Sequence, residues 1–406
     1  MAFTTQGDNV PVIDVHFHYF MPDVLGPMKE FVIAGPEERD VAMEKLHSRT
    51  IIYSPVIWSK YNSEWSAEKW ADLCRKFTDH QAAEVEKAPA SVGSFAPLPF
   101  PHLEETIEAL EYAEEQCSTK PDGYAITTSA ASKYLGDPSY DSIMAECDRR
   151  GVVLFVHPNE TVMPPLDPNV YGWQMIEFPT ETARCLMSMV DQGTFTKYPN
   201  IKWIFSHNGG SFPYLFQRCI RTLTGSKLVG VGGPGAKQVN RIADHNDGQT
   251  LQHIFGRGNI YIECSQGTAV QTVMLKSLGI RAENVLTGSD WPFTGKDDVS
   301  LTLNEMYGPE KSGMYTPQEI ESIRAVTQHY PNTAVDSAYS AAVVTILPSD
   351  GDASHQIQAE LEKAQKLAKQ QHHQQQQQHS HQQQQLNSLL LPNRCPDIGG
   401  SINGLR

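Results

Sequence analysis

The chain has 406 residues, 40% of them hydrophobic and 19% charged, which is enough apolar material to bury a substantial core. A formal net charge of −15 with no offsetting basic block argues against a general binder of nucleic acid or of anionic membranes. No run approaches the roughly 18 uninterrupted apolar residues of a membrane span, and the first residues lack the basic-then-apolar order of a signal peptide.

Eight strand candidates follow one another, most of them separated by amphipathic segments of helix length. The first covers residues 11–17. The second covers 50–57, and a helical pattern over 65–87 follows it. The third is 90–97, followed by a helix over 102–116 whose acidic residues group on its exposed side. The fourth is 123–128. Asp137-Pro138 then supplies an N-cap with proline at the first helical position, opening a helix that runs to about residue 150. Strands five to eight are expected at 152–157, 201–206, 259–265 and 284–289, and a late helix at Thr316-Pro317-Gln318-Glu319, a capping box with proline at N1.

This alternation predicts an α/β fold with parallel strands, a (β/α)₈ TIM barrel over residues 1–348. In such a barrel the loops after each strand build the active site, so the insertions 19–48 and 158–175 are expected to cover it. The Gly-rich insertion within 222–256 follows a helix and is expected at the rim or in an oligomer contact. No strand leads into its glycines and no Lys-Ser/Thr follows them, so it is not a phosphate loop. Residues 349–406 are rich in Gln and His and read as a disordered tail, whose histidines bind metal only adventitiously. Seven cysteines, an odd set without a Cys-x-x-Cys pair, read as reduced thiols of a cytosolic protein.

Four strand candidates end on side chains that bind metals. They read Val-Ile-Asp-Val-His16-Phe-His18, Val-Val-Leu-Phe-Val-His157-Pro, Lys-Trp-Ile-Phe-Ser-His207-Asn-Gly-Gly and Asn-Val-Leu-Thr-Gly-Ser-Asp290-Trp-Pro. Residues i and i+2 of a strand share a face, so His16 and His18 both point to the barrel mouth. With His157 and Asp290 they supply three nitrogens and one carboxylate oxygen. That set suits one divalent ion such as Zn²⁺ and leaves room for water or substrate, while Mn²⁺ or Fe²⁺ tolerates the same donors. Taken singly, each motif fits an ordinary hydrogen-bonded histidine or a turn. Their conjunction at the carboxyl ends of strands one, five, six and eight favours a metal site. His207 fits either a fifth ligand or a proton-transfer group beside the metal. Phe20, Trp58, Trp173 and Phe293 lie on the same face as candidates to pack a substrate ring, and serve equally well as core or lid aromatics.

These motifs, with the fuller strings Ser-His207-Asn-Gly-Gly-Ser-Phe-Pro and Thr-Gly-Ser-Asp290-Trp-Pro-Phe, resemble the amidohydrolase superfamily. Within it they resemble the aminocarboxymuconate-semialdehyde decarboxylase branch, over about residues 11–340. That branch includes non-oxidative decarboxylases of aromatic and conjugated carboxylic acids, and the pattern is most similar to the 6-methylsalicylate decarboxylases of fungal polyketide pathways. The resemblance implies that His16, His18, His157 and Asp290 are metal ligands and His207 the catalytic histidine. It also implies that Arg218 reaches a neighbouring subunit's site to hold the substrate carboxylate, which makes a homodimer the smallest active unit. An ordinary surface cation is the other reading of Arg218. Hydrolytic relatives with two metals carry a bridging carboxylated lysine at the end of strand four. Here that strand reads Gly-Tyr-Ala-Ile-Thr-Thr-Ser and Lys133 comes too late, so a single metal is implied. The chain departs from the family after Ile323, where Tyr330-Pro-Asn-Thr-Ala-Val-Asp stands in place of Gly-Asn-Ala before Leu-Phe.

The implied reaction protonates an ortho-hydroxybenzoate at its carboxyl-bearing carbon and expels CO₂. A metal orients the phenolate and carboxylate oxygens, Asp290 delivers the proton and His207 tunes it. A route opening with attack by an activated water is equally compatible. The alternative function is a mononuclear metal-dependent hydrolase of a lactone or amide.

Overall fold

The computed structural model describes residues 12–18, 39–41, 43–44, 48–55, 66–159, 161–162, 174–223, 241–267 and 269–294. Phe20, Trp58, Trp173, the helix expected from Thr316 and the Gln/His tract lie outside the described residues. The chain divides into units Met1–Ala338 and Tyr339–Arg406, and every described residue belongs to the first.

The described strands are β1 (Val12–Phe17), β2 (Ser48–Tyr53), β3 (Val92–Pro97), β4 (Gly123–Thr127), β5 (Ser129–Ala130), β6 (Lys133–Tyr134), β7 (Val153–His157), β8 (Lys202–Phe205), β9 (Ile260–Glu263) and β10 (Val285–Leu286). Eight of them form one sheet in the order β1-β2-β3-β4-β7-β8-β9-β10. All seven neighbour pairs are parallel. The ends of this sheet also meet. Val15 N donates to Thr287 O at 3.0 Å and His18 N to Trp291 O at 2.8 Å, while Asp290 N donates to His16 O at 2.8 Å. Across the same seam Ser289 N donates to Asp14 Oδ1 at 3.0 Å. These bonds close the sheet into the expected eight-stranded barrel.

Helices follow the strands: α1 (Ala67–Lys87), α2 (Leu103–Glu115), α3 (Asp141–Arg150), α4 (Glu177–Asp191), α5 (Thr194–Lys197), α6 (Phe212–Leu223), α7 (Arg241–His245), α8 (Leu251–Phe255) and α9 (Ala269–Leu278). Local chemistry sets their ends. Ser66 Oγ accepts from Lys69 N at 3.3 Å to start α1. Asp137 Oδ1 accepts from Ser139 N at 2.9 Å, but the turn it opens, Pro138–Tyr140, is 3₁₀ and passes into α3 only at Asp141. Gly151, at φ +62°, ends α3 in the left-handed conformation that glycine adopts without steric cost.

Alternation along the strands separates two apolar layers. Val153 and Phe155 of β7 belong to one layer, where Phe155 stacks on Phe95 with ring centroids 5.3 Å apart. Leu154 and Val156 belong to the other, with Leu186, Met189 and Val190 of α4. The Gly-rich stretch of the 222–256 insertion, residues 224–240, lies outside the described residues. The residues that follow it fold as α7 and α8, with Ile242, Ile254 and Phe255 in the main core and Asn246 Nδ2 donating to Val190 O at 2.8 Å. The antiparallel pair β5–β6 was not expected. No helix among the described residues is long and apolar enough to cross a membrane. The six described cysteines are unpaired.

Candidate metal centre

The barrel carries His16, His18, His157, His207 and Asp290 to one place, at the carboxyl ends of β1, β7 and β8 and just after β10. His16, His157, His207 and Asp290 each present a donor atom within 4.8 Å of the others. His18 joins them, its Nε2 lying 3.0 Å from His16 Nε2 and 2.9 Å from Asp290 Oδ1. Phe155 lies beneath, its ring centroid 5.1 Å from that of His16.

Hydrogen-bond partners decide which ring nitrogen faces the cluster. Glu263, the last residue of β9, accepts from His16 Nδ1 at 2.8 Å. A carboxylate only accepts, so Nδ1 carries the proton and Nε2 points inward. His18 Nδ1 donates to the Ser54 carbonyl oxygen at 2.9 Å, which fixes the same tautomer there. Two inward nitrogen lone pairs 3.0 Å apart repel each other unless a positive charge lies between them, either a proton or a metal cation. His157 Nε2 is buried and has no hydrogen-bond partner among the described residues. Leaving such a group unligated costs about 1–3 kcal/mol. The donor set therefore fits a borderline divalent cation.

Electrostatics point the same way. Burial raises the Asp290 carboxyl, but the His16 charge and hydrogen bonds from His18 and His207 outweigh burial and hold it well below the ordinary carboxylate range. Burial likewise raises Glu263, and the charge and hydrogen bond of His16 overcome it, leaving Glu263 lowered. Burial, reinforced by its imidazole neighbours, drives His157 well below the ordinary imidazole value, so its nitrogen lone pair is free to ligate. His18 is lowered, chiefly by burial. His16 goes the other way, because Glu263 and Asp290 outweigh its burial.

His207 is held differently. Its Nδ1 meets Ser206 Oγ at 3.2 Å, a hydroxyl that donates or accepts, so either protonation state of His207 keeps a partner. Its Nε2 lies 3.4 Å from Asp290 Oδ2. His207 and Asn208 take left-handed φ of +53° and +57°, and Gly209 and Gly210 follow at +72° and +61°. A Cβ at Gly210 would stand 2.3 Å from the Pro179 carbonyl oxygen, which explains the Asn-Gly-Gly after this histidine. Asp290 is also left-handed, at φ +58°. Strain of this kind concentrates at functional sites.

Among the other expected residues, Phe293 packs on His18 with centroids 5.2 Å apart. Arg218 lies on the exposed side of α6. Lys133 is exposed and pairs with Asp137 Oδ1 at 3.3 Å, on the β5–β6 hairpin and not at the end of β4. Sequence reasoning missed Glu263, although β9 ends on it as β7 ends on His157. It also missed Ser265 and Gln266, the latter donating to Asp290 Oδ2.

A family model described as amidohydrolase matches residues 13–222. The chain is 31% identical over 222 residues to a 6-methylsalicylic acid decarboxylase of Penicillium expansum, covering 52% of this chain and 68% of that protein. It is 32% identical over 147 residues to a 2-amino-3-carboxymuconate-6-semialdehyde decarboxylase of Dictyostelium discoideum, which covers 36% of this chain but only 40% of that protein. A solved dihydroxybenzoic acid decarboxylase of a Polaromonas species, with bound manganese and the inhibitor 2-nitroresorcinol, superposes with a TM-score of 0.57 at 18% identity, covering 79% of this chain and 98% of that one.

Proposed function

The chain belongs to the amidohydrolase family, and on that premise we propose that it is a metal-dependent, non-oxidative decarboxylase. Its substrate is a small aromatic carboxylic acid of the 6-methylsalicylate type, converted to the phenol and CO₂. The observation that carries this reading is the convergence of His16, His18, His157 and Asp290, with the His157 Nε2 unpaired among the described residues. Those four residues would hold one divalent ion, Zn²⁺ by its donor preferences, with Mn²⁺ the runner-up because a structural neighbour contains it. When bound, that ion polarises carboxylate and phenolate oxygens and orients the acid.

The chain's own groups supply the rest. Asp290 rests as the anion, so the proton for the carboxyl-bearing ring carbon comes from His207, 3.4 Å from Asp290 Oδ2, and Asp290 relays it to the ring. The ring loses aromaticity as that C–H bond forms. The bond to the carboxylate then breaks, its electron pair returns to the ring, and CO₂ departs. Ser206 lets His207 cycle between protonation states without losing a partner. Phe293 packs against the substrate ring, joined in our reading by Phe20, Trp58 and Trp173. Arg218 of a second copy holds the substrate carboxylate, which makes the homodimer the working unit. The similarity to a Penicillium 6-methylsalicylic acid decarboxylase supports this substrate class; a place in a fungal polyketide pathway and the cytosol as compartment complete the proposal.

The test is CO₂ release against acid release over a panel of salicylates and lactones, with and without chelator. CO₂ from a 2-hydroxybenzoate, lost on chelation and restored by metal, is the expected result. Lactone hydrolysis without CO₂ overturns the decarboxylase reading and favours the one-metal hydrolase.

A further inference from the structure

Glu263 is fully buried, yet it is neither a member of the donor cluster nor a partner of any cation from Lys or Arg among the described residues. A lone buried carboxylate is expensive unless its lone pairs are satisfied. Here they are. Its Oε1 accepts from His16 Nδ1 at 2.8 Å, from the His207 backbone N–H at 2.5 Å and from Ser265 Oγ at 2.8 Å. Its Oε2 accepts from Ser265 N at 2.7 Å. Gly288 makes room on the remaining side, since a Cβ there would fall 2.0 Å from Oε2.

One carboxylate thus grips two residues of the centre from outside, the ring of His16 and the backbone of His207. We propose that Glu263 is the positioning residue of this site. It keeps His16 in the Nδ1–H tautomer with Nε2 turned to the ion, and fixes His207 at the turn where its ring reaches Asp290. The proposal deepens the metal-site reading above and rests on it. A carboxylate behind a ligating imidazole also raises the ligand's basicity, and loss of such a partner typically weakens metal binding about 10–100-fold. Glutamine is a poor substitute, because its NH₂ group would replace one acceptor oxygen where only donors converge.

The experiment measures the Zn²⁺ dissociation constant of the full chain by competition with a chromophoric chelator, for wild type, Glu263→Gln and Ser265→Ala. Glu263→Gln is expected to bind one ion with affinity about 10–100-fold weaker, while its metal-free form still unfolds in one cooperative urea transition. Ser265→Ala, which keeps the carboxylate but removes one bond that aims it, is expected to weaken binding less; it also carries the test if Glu263→Gln does not fold. Unchanged Zn²⁺ affinity in a folded Glu263→Gln protein, or in Ser265→Ala should that be the one that folds, overturns the proposal. The readout does not depend on turnover. A wild-type chain that binds Zn²⁺ but releases no CO₂ refutes the decarboxylase reading and leaves Glu263 testable, whereas a chain that binds no Zn²⁺ refutes both.

Discussion

His16 and His18 are pinned by acceptors that cannot donate, a carboxylate and a carbonyl, whereas His207 leans on a hydroxyl that does both. On the proposed roles, that difference separates ligands from a proton carrier more sharply than distance does, since His207 falls within the same 4.8 Å grouping as His16 and His157. His207→Gln is therefore expected to keep its metal and lose turnover by about 10²–10⁴-fold, the usual worth of a positioned acid or base. Metal analysis of the purified variant beside its kcat checks this. A variant that loses its ion instead would make His207 a ligand.

At the scale of elements, the turn between β8 and α6 depends on backbone that only glycine tolerates. Gly210→Ala must seat a Cβ 2.3 Å from the Pro179 carbonyl at φ +61°. An expected destabilisation of about 1–3 kcal/mol or more follows from the strain, read as a lower Tm than wild type. An unchanged Tm would mean that the turn and α4 part freely. The strands that carry the site were legible in sequence because each is a β-branched or aromatic run stopping at a polar residue, as Val153–His157 shows. The two-residue strands β5 and β6 have no length over which alternation could show. β9 and β10 came out shorter than 259–265 and 284–289, because the backbone leaves the ladder to place Ser265, Gln266 and Asp290 at the mouth. Glu263 escaped notice for a chemical reason. It is flanked by Ile262 and Cys264, without the Pro or Gly that marked the ends of the runs at His157, His207 and Asp290. Its importance lies in a partner 247 positions away, His16, which no local pattern reveals.

The barrel as a whole puts chemistry at one end and stability at the other. At the amino end of β4, Asp122 Oδ2 accepts from Ser94 N at 2.9 Å, and burial pushes its carboxyl up to about 7. Between about pH 4 and pH 7 the folded chain holds a proton that the unfolded chain has released, so stability falls as pH rises through that window. Asp122→Asn has no proton to lose and is expected to flatten the fall in urea midpoint from about pH 5 to about pH 8. A variant that falls in parallel with wild type would remove Asp122 as the cause. At the other end, everything turns on distant strand ends sharing one ion. The most direct measurement is the divalent-metal content of purified wild type, His16→Ala and Asp290→Asn. One ion per chain in wild type, absent from both variants, is the expected result. A wild type without metal, or variants that keep theirs, would contradict it.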